Sequence, residues 1–158
     1  MMYVDTSVIV AALDFSDPRC WRARRVLESR EPKVVSELVV AELASVLSRR
    51  RLPSGLEPGL AVAAALLYIL GRFELSLVRL GDHVELGPLG RLHAPIAAAI
   101  ELAPRLKLKT LDLLHVAYVK TLRDRGVAVD VLVTADEDFE EVGEELKRTV
   151  GVELQLIH

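Results

Sequence analysis

Short apolar segments alternate with longer helical segments along the chain, and this alternation is the feature that most restricts its fold. A strand buried on both faces is a continuous apolar run, and a helix between two such runs lets them pair in parallel. We therefore predict an α/β fold with three layers, α/β/α, around a mostly parallel five-stranded sheet. The five predicted strands cover residues 2–4, KVVS at 33–36, FELSLVRL at 73–80, VDVLVT at 129–134 and VELQLI at 152–157.

Residues that start and stop helices divide the segments between these strands. Asp17 and Pro18 are typical of a helix start, and Ser36 is predicted to cap the next helix. Residues 81–92 are rich in glycine and are predicted to form a loop. Helices are expected directly after the first strand, from Pro18 onwards, and over residues 36–51, 57–71, 93–104 and 110–125.

The composition excludes several classes of protein. Of the 158 residues, 51% are hydrophobic and 27% are charged, which excludes a disordered chain and suffices for one domain over residues 1–158. The lone cysteine, Cys20, excludes an intramolecular disulfide and a cysteine metal cluster, and is interpreted as a small buried hydrophobe. The longest apolar stretch, residues 60–70, is too short to span a bilayer, and no targeting segment is recognised. A cytoplasmic protein without a membrane partner is expected.

Carboxylates follow two of the predicted strands, at the edge where parallel sheets bind their ligands. Asp5 interrupts the apolar run YVDTSVIV directly after the first strand. Asp136, with Asp138 beside it, follows the strand VLVT. A carboxylate in an apolar run costs stability unless it has a partner or a function. Both strand ends are therefore candidate parts of one acidic site.

Two further candidates come from helical geometry. At about 100° per residue, Glu42 falls on an apolar arc between Leu38 and Val46. Such a glutamate is expensive unless it is paired or holds a cation, although it could also lie at the helix edge and reach solvent or an arginine. Asp112 lies in the first turn of its helix, where its negative charge would interact favourably with the helix dipole. It also lies on the flank of the buried face of that helix. His115 points further inward and is interpreted as a packing or hydrogen-bonding neighbour of the acids.

Four carboxylates from four separate elements would repel one another and raise their own pKa values if nothing compensated them. A divalent cation is the natural compensation. Oxygen ligands favour Mg²⁺ or Mn²⁺, whereas zinc normally recruits histidine or cysteine. A cation of this kind that keeps several waters can activate one of them and stabilise the charge of a phosphodiester during hydrolysis.

The chain resembles the PIN-domain ribonucleases, above all the small toxins of VapBC-type toxin–antitoxin pairs. The resemblance depends on four segments in order, YVDTSVIV, SELVVAEL, TLDLLHVAY and LVTADEDF. It implies a five-stranded parallel sheet and an acidic pocket that holds Mg²⁺ or Mn²⁺ for endonucleolytic cleavage of RNA. It also implies a homodimer and a cognate antitoxin.

The resemblance assigns roles to individual residues. It implies that Asp5, Glu42 and Asp112 are the three core acids and that Asp136 is a fourth, more variable one. Asp138 would share or replace the role of Asp136 as a metal ligand. The supporting hydroxyls that orient the acids or a water would be those of Thr6 and Thr134.

Two features of the sequence indicate how the chain could bind RNA or a partner protein. With a net charge of −3, RNA must meet a local cationic patch, and with 4% aromatic residues base stacking is not expected as the main device. Residues 57–70 are apolar nearly all round, which favours either a centrally buried helix or a contact face for a partner. The main candidate patch is Arg49, Arg50 and Arg51, and the others are Arg22, Arg24 and Arg25, and Lys120, Arg123 and Arg125, all of which could equally be solvated helix faces.

Other functions remain as alternatives. A non-catalytic module of the same fold would bind RNA or protein without cleavage, and a nuclease of the same chemistry could process RNA without being a toxin. A phosphatase of the HAD type would need an aspartate where Ser7 stands. A dinucleotide-binding domain would need a glycine-rich turn after the first strand, which DTSVIV does not provide.

Overall fold

The computed structural model describes residues 1–50 and 55–158. Five parallel strands form one sheet in the order β3-β2-β1-β6-β7, so the predicted α/β/α fold is confirmed and the sheet is parallel throughout. A separate antiparallel hairpin joins β4 and β5. The strands are β1 (Met2–Val4), β2 (Lys33–Ser36), β3 (Leu75–Val78), β4 (His83–Glu85), β5 (Arg91–His93), β6 (Val131–Thr134) and β7 (Glu153–Leu156).

Seven helices of the described residues cover the two faces of this sheet. The helix after β1 begins at Thr6 and the helix after β2 begins at Glu37, so almost no loop separates either helix from its strand. No helix among residues 1–50 and 55–158 has the length and apolarity that crossing a membrane requires. The helices are α1 (Thr6–Leu13), α2 (Cys20–Leu27), α3 (Glu37–Ser48), α4 (Pro58–Arg72), α5 (Ala94–Leu106), α6 (Thr110–Asp124) and α7 (Gly143–Val150).

The centre of the sheet is the most deeply buried part of the molecule. Tyr3 and Val4 of β1 and Leu132 and Val133 of β6 are completely shielded from solvent. Strands buried on both faces have no polar side, which explains why they are continuous apolar runs in the sequence. The lone Cys20 is buried as predicted, and its thiol donates to the Ala12 carbonyl.

The parallel register determines where the strand ends meet. Val4 of β1 lies opposite Val133 of β6, and the amide of Asp5 donates to the Val133 carbonyl at 3.0 Å. The next residue on each strand is therefore Asp5 on one and Thr134 on the other. On the opposite side of β1, β2 ends at Ser36, directly before α3. These neighbouring ends form the edge on which the acidic residues lie.

The structure differs from the sequence prediction in three local features. Residues 81–92, predicted to be a loop, contain the hairpin of β4 and β5, whose turn uses the positive φ angles of Gly87 (48°) and Gly90 (72°). Helix α2 begins at Cys20, because the Asp17 carboxylate instead accepts the Arg19 amide in a turn before the helix. The Ser36 hydroxyl bonds to Tyr3 and does not cap α3.

A lysine ends α5 in the left-handed conformation that favours glycine. Lys107 has φ 52° and its amide donates to the Ala103 carbonyl. Because a β-carbon is disfavoured there, we expect Lys107→Gly to raise the free energy of unfolding by about 0.5–1 kcal/mol. Urea unfolding of the variant and of Arg105→Gly, where the backbone is helical and glycine should cost about 1 kcal/mol, tests this. Equal destabilisation by both glycines would contradict it.

Candidate active site

Asp5 is a buried carboxylate whose oxygens are both engaged. Its Oδ2 atom accepts hydrogen bonds from the Thr134 hydroxyl at 2.5 Å and the Ser7 hydroxyl at 2.7 Å. Its Oδ1 atom lies 3.0 Å from Nε2 of His115. The Ser7 hydroxyl also accepts the Ala135 amide at 2.9 Å, so α1 and the end of β6 are tied together around this carboxylate.

Glu42 reaches the same place from α3. Its Oε2 atom accepts from the Thr6 hydroxyl and lies 2.9 Å from Nε2 of His115. The apolar arc on which Glu42 lies carries it inward, where it is half-buried and bonded to polar groups. Glu42 therefore points inward, and among the described residues its partners are His115 and Thr6 and not an arginine.

His115 connects the two carboxylates. It is 2% exposed, and its Nε2–H donates toward both Asp5 and Glu42, while Nδ1 lies 3.0 Å from the Tyr3 hydroxyl. The Tyr3 hydroxyl is in turn 2.7 Å from the Ser36 hydroxyl. A continuous buried chain of hydrogen bonds therefore runs from β2 through β1 and α6 to the two acids, and it fixes the orientation of the imidazole.

The other three predicted acids form a second group. Ligand oxygens of Asp112, Asp136 and Asp138 all lie within 4.8 Å of one another, as do those of the first group, Asp5 and Glu42 with His115. The Asp136 carboxylate accepts the Asp138 amide at 2.9 Å, and its own amide donates to the Thr134 hydroxyl at 3.1 Å. Thr134 therefore bonds to members of both groups.

The charges of the two groups are compensated differently. In the first group, burial acts to lower the pKa of His115, but the hydrogen bond to Glu42 and the nearby acids raise it overall, which favours an imidazolium between the carboxylates. For Glu42, burial raises the pKa and the bonds from His115 and Thr6 lower it, with a net decrease. In the second group, Lys109 forms an ion pair with Asp138.

Asp112 keeps the least compensated charge. Burial, followed by the charges of Asp136 and Asp5, raises its pKa from 3.8 to about 6, against a smaller opposing effect of His115. A cation beside Asp112 would remove this penalty. The donors of the second group are all carboxylate oxygens, the ligands that Mg²⁺ and Mn²⁺ prefer, so the residues present fit such an ion.

The structure brings together most of the predicted site residues. Asp5, Glu42, Asp112, Asp136 and Asp138 lie at one edge, divided into two groups that the sequence did not distinguish. The supporting residues Thr6 and Thr134 each donate to one of the acids. The predicted cationic patch is elsewhere, because Arg49 and Arg50 are exposed beyond the far end of α3, and Arg51 lies outside the described residues.

Sequence reasoning missed four residues of the site. Tyr3 looked like an ordinary strand residue, and Ser7 like part of the first helical turn. Only the close spacing of hydroxyls after Asp5 could have indicated Ser7. Arg19, whose Nη1 donates to the Ala135 carbonyl at 2.6 Å, and Lys109 come from connecting segments, and no local pattern marks them.

Known proteins match this chain in sequence pattern and in fold. The family model of the PIN domain matches residues 2–145. The curated protein sequences give no significant match. Solved structures include VapC20 of Mycobacterium tuberculosis, described as a toxin that cleaves the sarcin-ricin loop, at 23% identity and a TM-score of 0.56 over 90% of this chain and 95% of that one.

Two further solved structures share the fold over the full length. VapBC2 of Rickettsia felis, bound to a DNA fragment from its promoter, is 18% identical with a TM-score of 0.60, covering 100% of both chains. VapBC-1 of nontypeable Haemophilus influenzae is 18% identical with a TM-score of 0.53, covering 98% of this chain and 97% of that one. At these identities, the likeness shows the fold.

The raised pKa of Asp112 gives a pH-dependent stability test in EDTA. The folded pKa, about 6, lies above the unfolded value, so this group's contribution is fully present below about pH 4 and is lost as the pH rises through about 6. We therefore expect Asp112→Asn to raise the melting temperature above pH 7 and to lose this advantage near pH 4. Thermal unfolding at several pH values measures it.

Asp17 supplies a control with the opposite sign. The hydrogen bond from Arg19 lowers the pKa of Asp17 to about 2, so its contribution is present above about pH 4 and is lost as the pH falls through about 2. Asp17→Asn should therefore reduce stability at neutral pH. An Asp112→Asn gain that is the same at every pH would contradict the assignment.

The position of His115 predicts a large cost when its donor is removed. His115→Leu leaves the buried Asp5 and the half-buried Glu42 carboxylates without their partner, and we expect a loss of about 3 kcal/mol in the free energy of unfolding in EDTA. His115→Gln retains an N–H donor and should lose less. Tyr3→Phe, which removes only the outer hydroxyl, should lose about 1 kcal/mol. Equal losses for His115→Leu and Tyr3→Phe in urea unfolding would refute the bridging role.

Proposed function

The chain belongs to the PIN domain family, and from this membership and its acidic site we propose that it is a Mg²⁺- or Mn²⁺-dependent endoribonuclease, the toxin of a VapBC-type pair. The observation that carries the proposal is the pair of adjoining acidic groups at the carboxyl ends of β1 and β6. Acids that served only the fold would not need Asp112 to remain so poorly compensated. The described core is continuous, which supports one domain over residues 1–158.

In this proposal, Asp5, Glu42, Asp112 and Asp136 are the catalytic acids that hold the metal, with Asp138 as a further ligand. A divalent cation bound there supplies an activated water and neutralises charge on the phosphodiester. Ser7 and Thr134 hold Asp5 in place, and Thr6 holds Glu42. His115 keeps the Asp5 and Glu42 carboxylates at a fixed separation through its shared N–H.

A partner protein is supported by the neighbours and by the surface. Two of the solved structures are of VapBC pairs, and we propose a cognate antitoxin for this chain as well. Its gene should lie beside the gene of this chain, which would distinguish a toxin from a nuclease that processes RNA. An RNA substrate is also the reason that we propose a cytoplasmic location.

One face of α4 forms an exposed apolar stripe, so the helix is not centrally buried. Leu67 is 72% exposed and Tyr68 is 68% exposed. They lie one turn beyond the exposed Ala63 and Ala64, and about two turns beyond the exposed Leu60. Residues at this spacing share one helical face. We propose that a second copy of the chain covers the stripe, because an apolar face with small residues between larger ones is suited to pack against its own image in a two-fold dimer. The stripe consists of Leu60, Ala63, Ala64, Leu67 and Tyr68.

The stripe makes an oligomeric prediction. Leu67→Glu places a charge in the centre of the contact, and we expect it to convert a dimer into a folded monomer. Sedimentation of the wild type and the variant measures the mass. Leu111→Glu, another exposed leucine but on α6, is the matched control and should remain dimeric. A wild type that sediments as a monomer would exclude the dimer.

Cleavage of RNA is the direct test of the enzyme. We expect the purified protein to cleave RNA with Mg²⁺ or Mn²⁺ and not with EDTA. Asp5→Asn keeps the shape of the side chain but removes its charge, and should reduce the rate by about 100-fold or more, since about 1.4 kcal/mol of lost stabilisation is a factor of ten. The loss in Asp138→Asn should be smaller, because Lys109 already neutralises that acid.

The control for this assay is Asp124→Asn. Asp124 is an exposed acid at the end of α6 that pairs with Lys120, and its removal should leave the rate unchanged. Circular dichroism of each variant shows whether it is folded. Full metal-dependent activity in folded Asp5→Asn would refute the proposed site, and no cleavage by the wild type with either metal would favour a binding module.

A further inference from the structure

Two exposed aromatic side chains lie beside a group of arginines at the start of α2. Phe15 and Trp21 are each 73% exposed, which is unusual for such large apolar groups. Their rings lie 6.5 Å apart in an edge-to-face arrangement, and the Arg24 guanidinium lies 5.0 Å from the centre of the Phe15 ring. The rings are therefore held by contacts with each other while most of their surface faces solvent.

The same segment concentrates positive charge in a chain whose net charge is −3. Arg22 and Arg25 are exposed on α2. Arg22 donates one hydrogen bond to the His158 carbonyl, and Arg25 forms no ion pair within residues 1–50 and 55–158. Glu28, the nearby acid, is already paired with Arg72 at 2.9 Å, and is 3.9 Å from Arg24. The helix surface therefore keeps an excess of positive charge. Trp21, Arg22, Arg24 and Arg25 line one shallow concavity together with Glu28.

This surface adjoins the acidic site. Arg19, two residues before Trp21, donates to the carbonyl of Ala135, the residue between Thr134 and Asp136. Arg19 and Asp136 also line a concavity with Ser7 at the acidic edge. At about 1.5 Å of rise per helical residue, Trp21 starts only a few ångströms further along α2. One extended strand could therefore contact the aromatic rings and the acids together.

We propose that this aromatic–arginine surface, formed by Phe15, Trp21, Arg22, Arg24 and Arg25, binds single-stranded RNA. A base stacks on the exposed ring of Trp21, and the flanking phosphates meet Arg22 and Arg25. The strand must be single, because bases paired in a duplex do not offer their faces to a side chain. The inference rests on the proposed function, and it assigns the substrate a binding surface outside the acidic site.

The charge of the surface selects nucleic acid over an apolar partner protein. A hydrophobic helix docked on Trp21 would have to cover Arg22 and Arg25, whose charges would lose solvent without gaining a partner. Phosphates supply the matching charge, and arginine binds them in a planar, bidentate manner. The low aromatic content of the chain does not favour base stacking as its main device, but two of the few aromatic residues are exposed together here, where stacking requires them.

Trp21 is the only tryptophan of the chain, so intrinsic fluorescence reports on this surface alone. The experiment titrates the full chain, in EDTA to prevent cleavage, with a single-stranded oligoribonucleotide of about 12 residues. An abasic oligomer of the same length and charge is the second probe. We expect RNA to quench the Trp21 emission and the abasic oligomer to bind more weakly with little quenching.

Substitutions separate stacking from charge. By fluorescence anisotropy of labelled RNA, Trp21→Ala should weaken binding about tenfold, whereas Trp21→Phe should retain most of the affinity. Leu89→Ala, which removes an exposed apolar side chain from the turn between β4 and β5, should bind like the wild type. Arg22→Ala and Arg25→Ala should each reduce the slope of log affinity against log salt by about 0.7, and exposed Arg148→Ala should not.

The outcomes distinguish this inference from the proposed function. If RNA leaves the emission unchanged and Trp21→Ala binds like the wild type, the surface is not an RNA site, including the case in which a protein partner covers it. If Trp21-dependent binding occurs but the wild type does not cleave RNA with Mg²⁺ or Mn²⁺, the surface is supported and the nuclease is refuted. Binding that is equal for duplex and single-stranded RNA would overturn the stacking of an unpaired base.

Discussion

The parallel pairing of β1 with β6 is the constraint on which the rest of the site depends. Because Val4 lies opposite Val133, the chain leaves the sheet at the same level on both strands, and Asp5 meets the hydroxyl of Thr134. The hydrogen bonds that stabilise the carboxylate therefore come from the strand register itself. A shift of one residue would turn each side chain to the other face of the sheet and separate the two.

Burial of carboxylates at this edge costs free energy, and the acids differ in how that cost is compensated. The Asp5 and Glu42 carboxylates share the N–H of a buried imidazole, and hydroxyls from α1 and β6 supply the remaining donors. Within residues 1–50 and 55–158, Asp112 has no comparable partner, and its pKa is raised to about 6. The first pair is thus compensated by groups of the protein, whereas the charge of Asp112 in the second group is not. This difference is what favours a binding role for Asp112 over a purely structural one.

The sequence was most informative where one-dimensional patterns determine position. Asp5 and Asp136 could be placed because strand ends of a parallel sheet meet at one edge, and Glu42 because the helical period carried it inward. The division into two groups could not be predicted, since it depends on His115 reaching between two elements that are distant in the chain. The glycines of residues 81–92 indicated a loop, but they supply the positive φ angles of a turn between two paired strands, so the hairpin was not predicted. The arginines of α2 were recognised in the sequence as a candidate cationic patch. That Phe15 lies beside Trp21 could not be predicted, because the turn between α1 and α2 brings the two rings together.

Arg19 separates two regions of opposite charge that would otherwise disturb each other. It pairs with Asp17 at 2.8 Å and donates to the Ala135 carbonyl at 2.6 Å, so its own charge is largely compensated. Arg19 therefore leaves the charge of Asp112 uncompensated on one side. On the other side, Arg25 forms no ion pair within residues 1–50 and 55–158. In a chain of net charge −3, the ion pair of Arg19 with Asp17 therefore lies between the proposed cation site and the proposed polyanion surface.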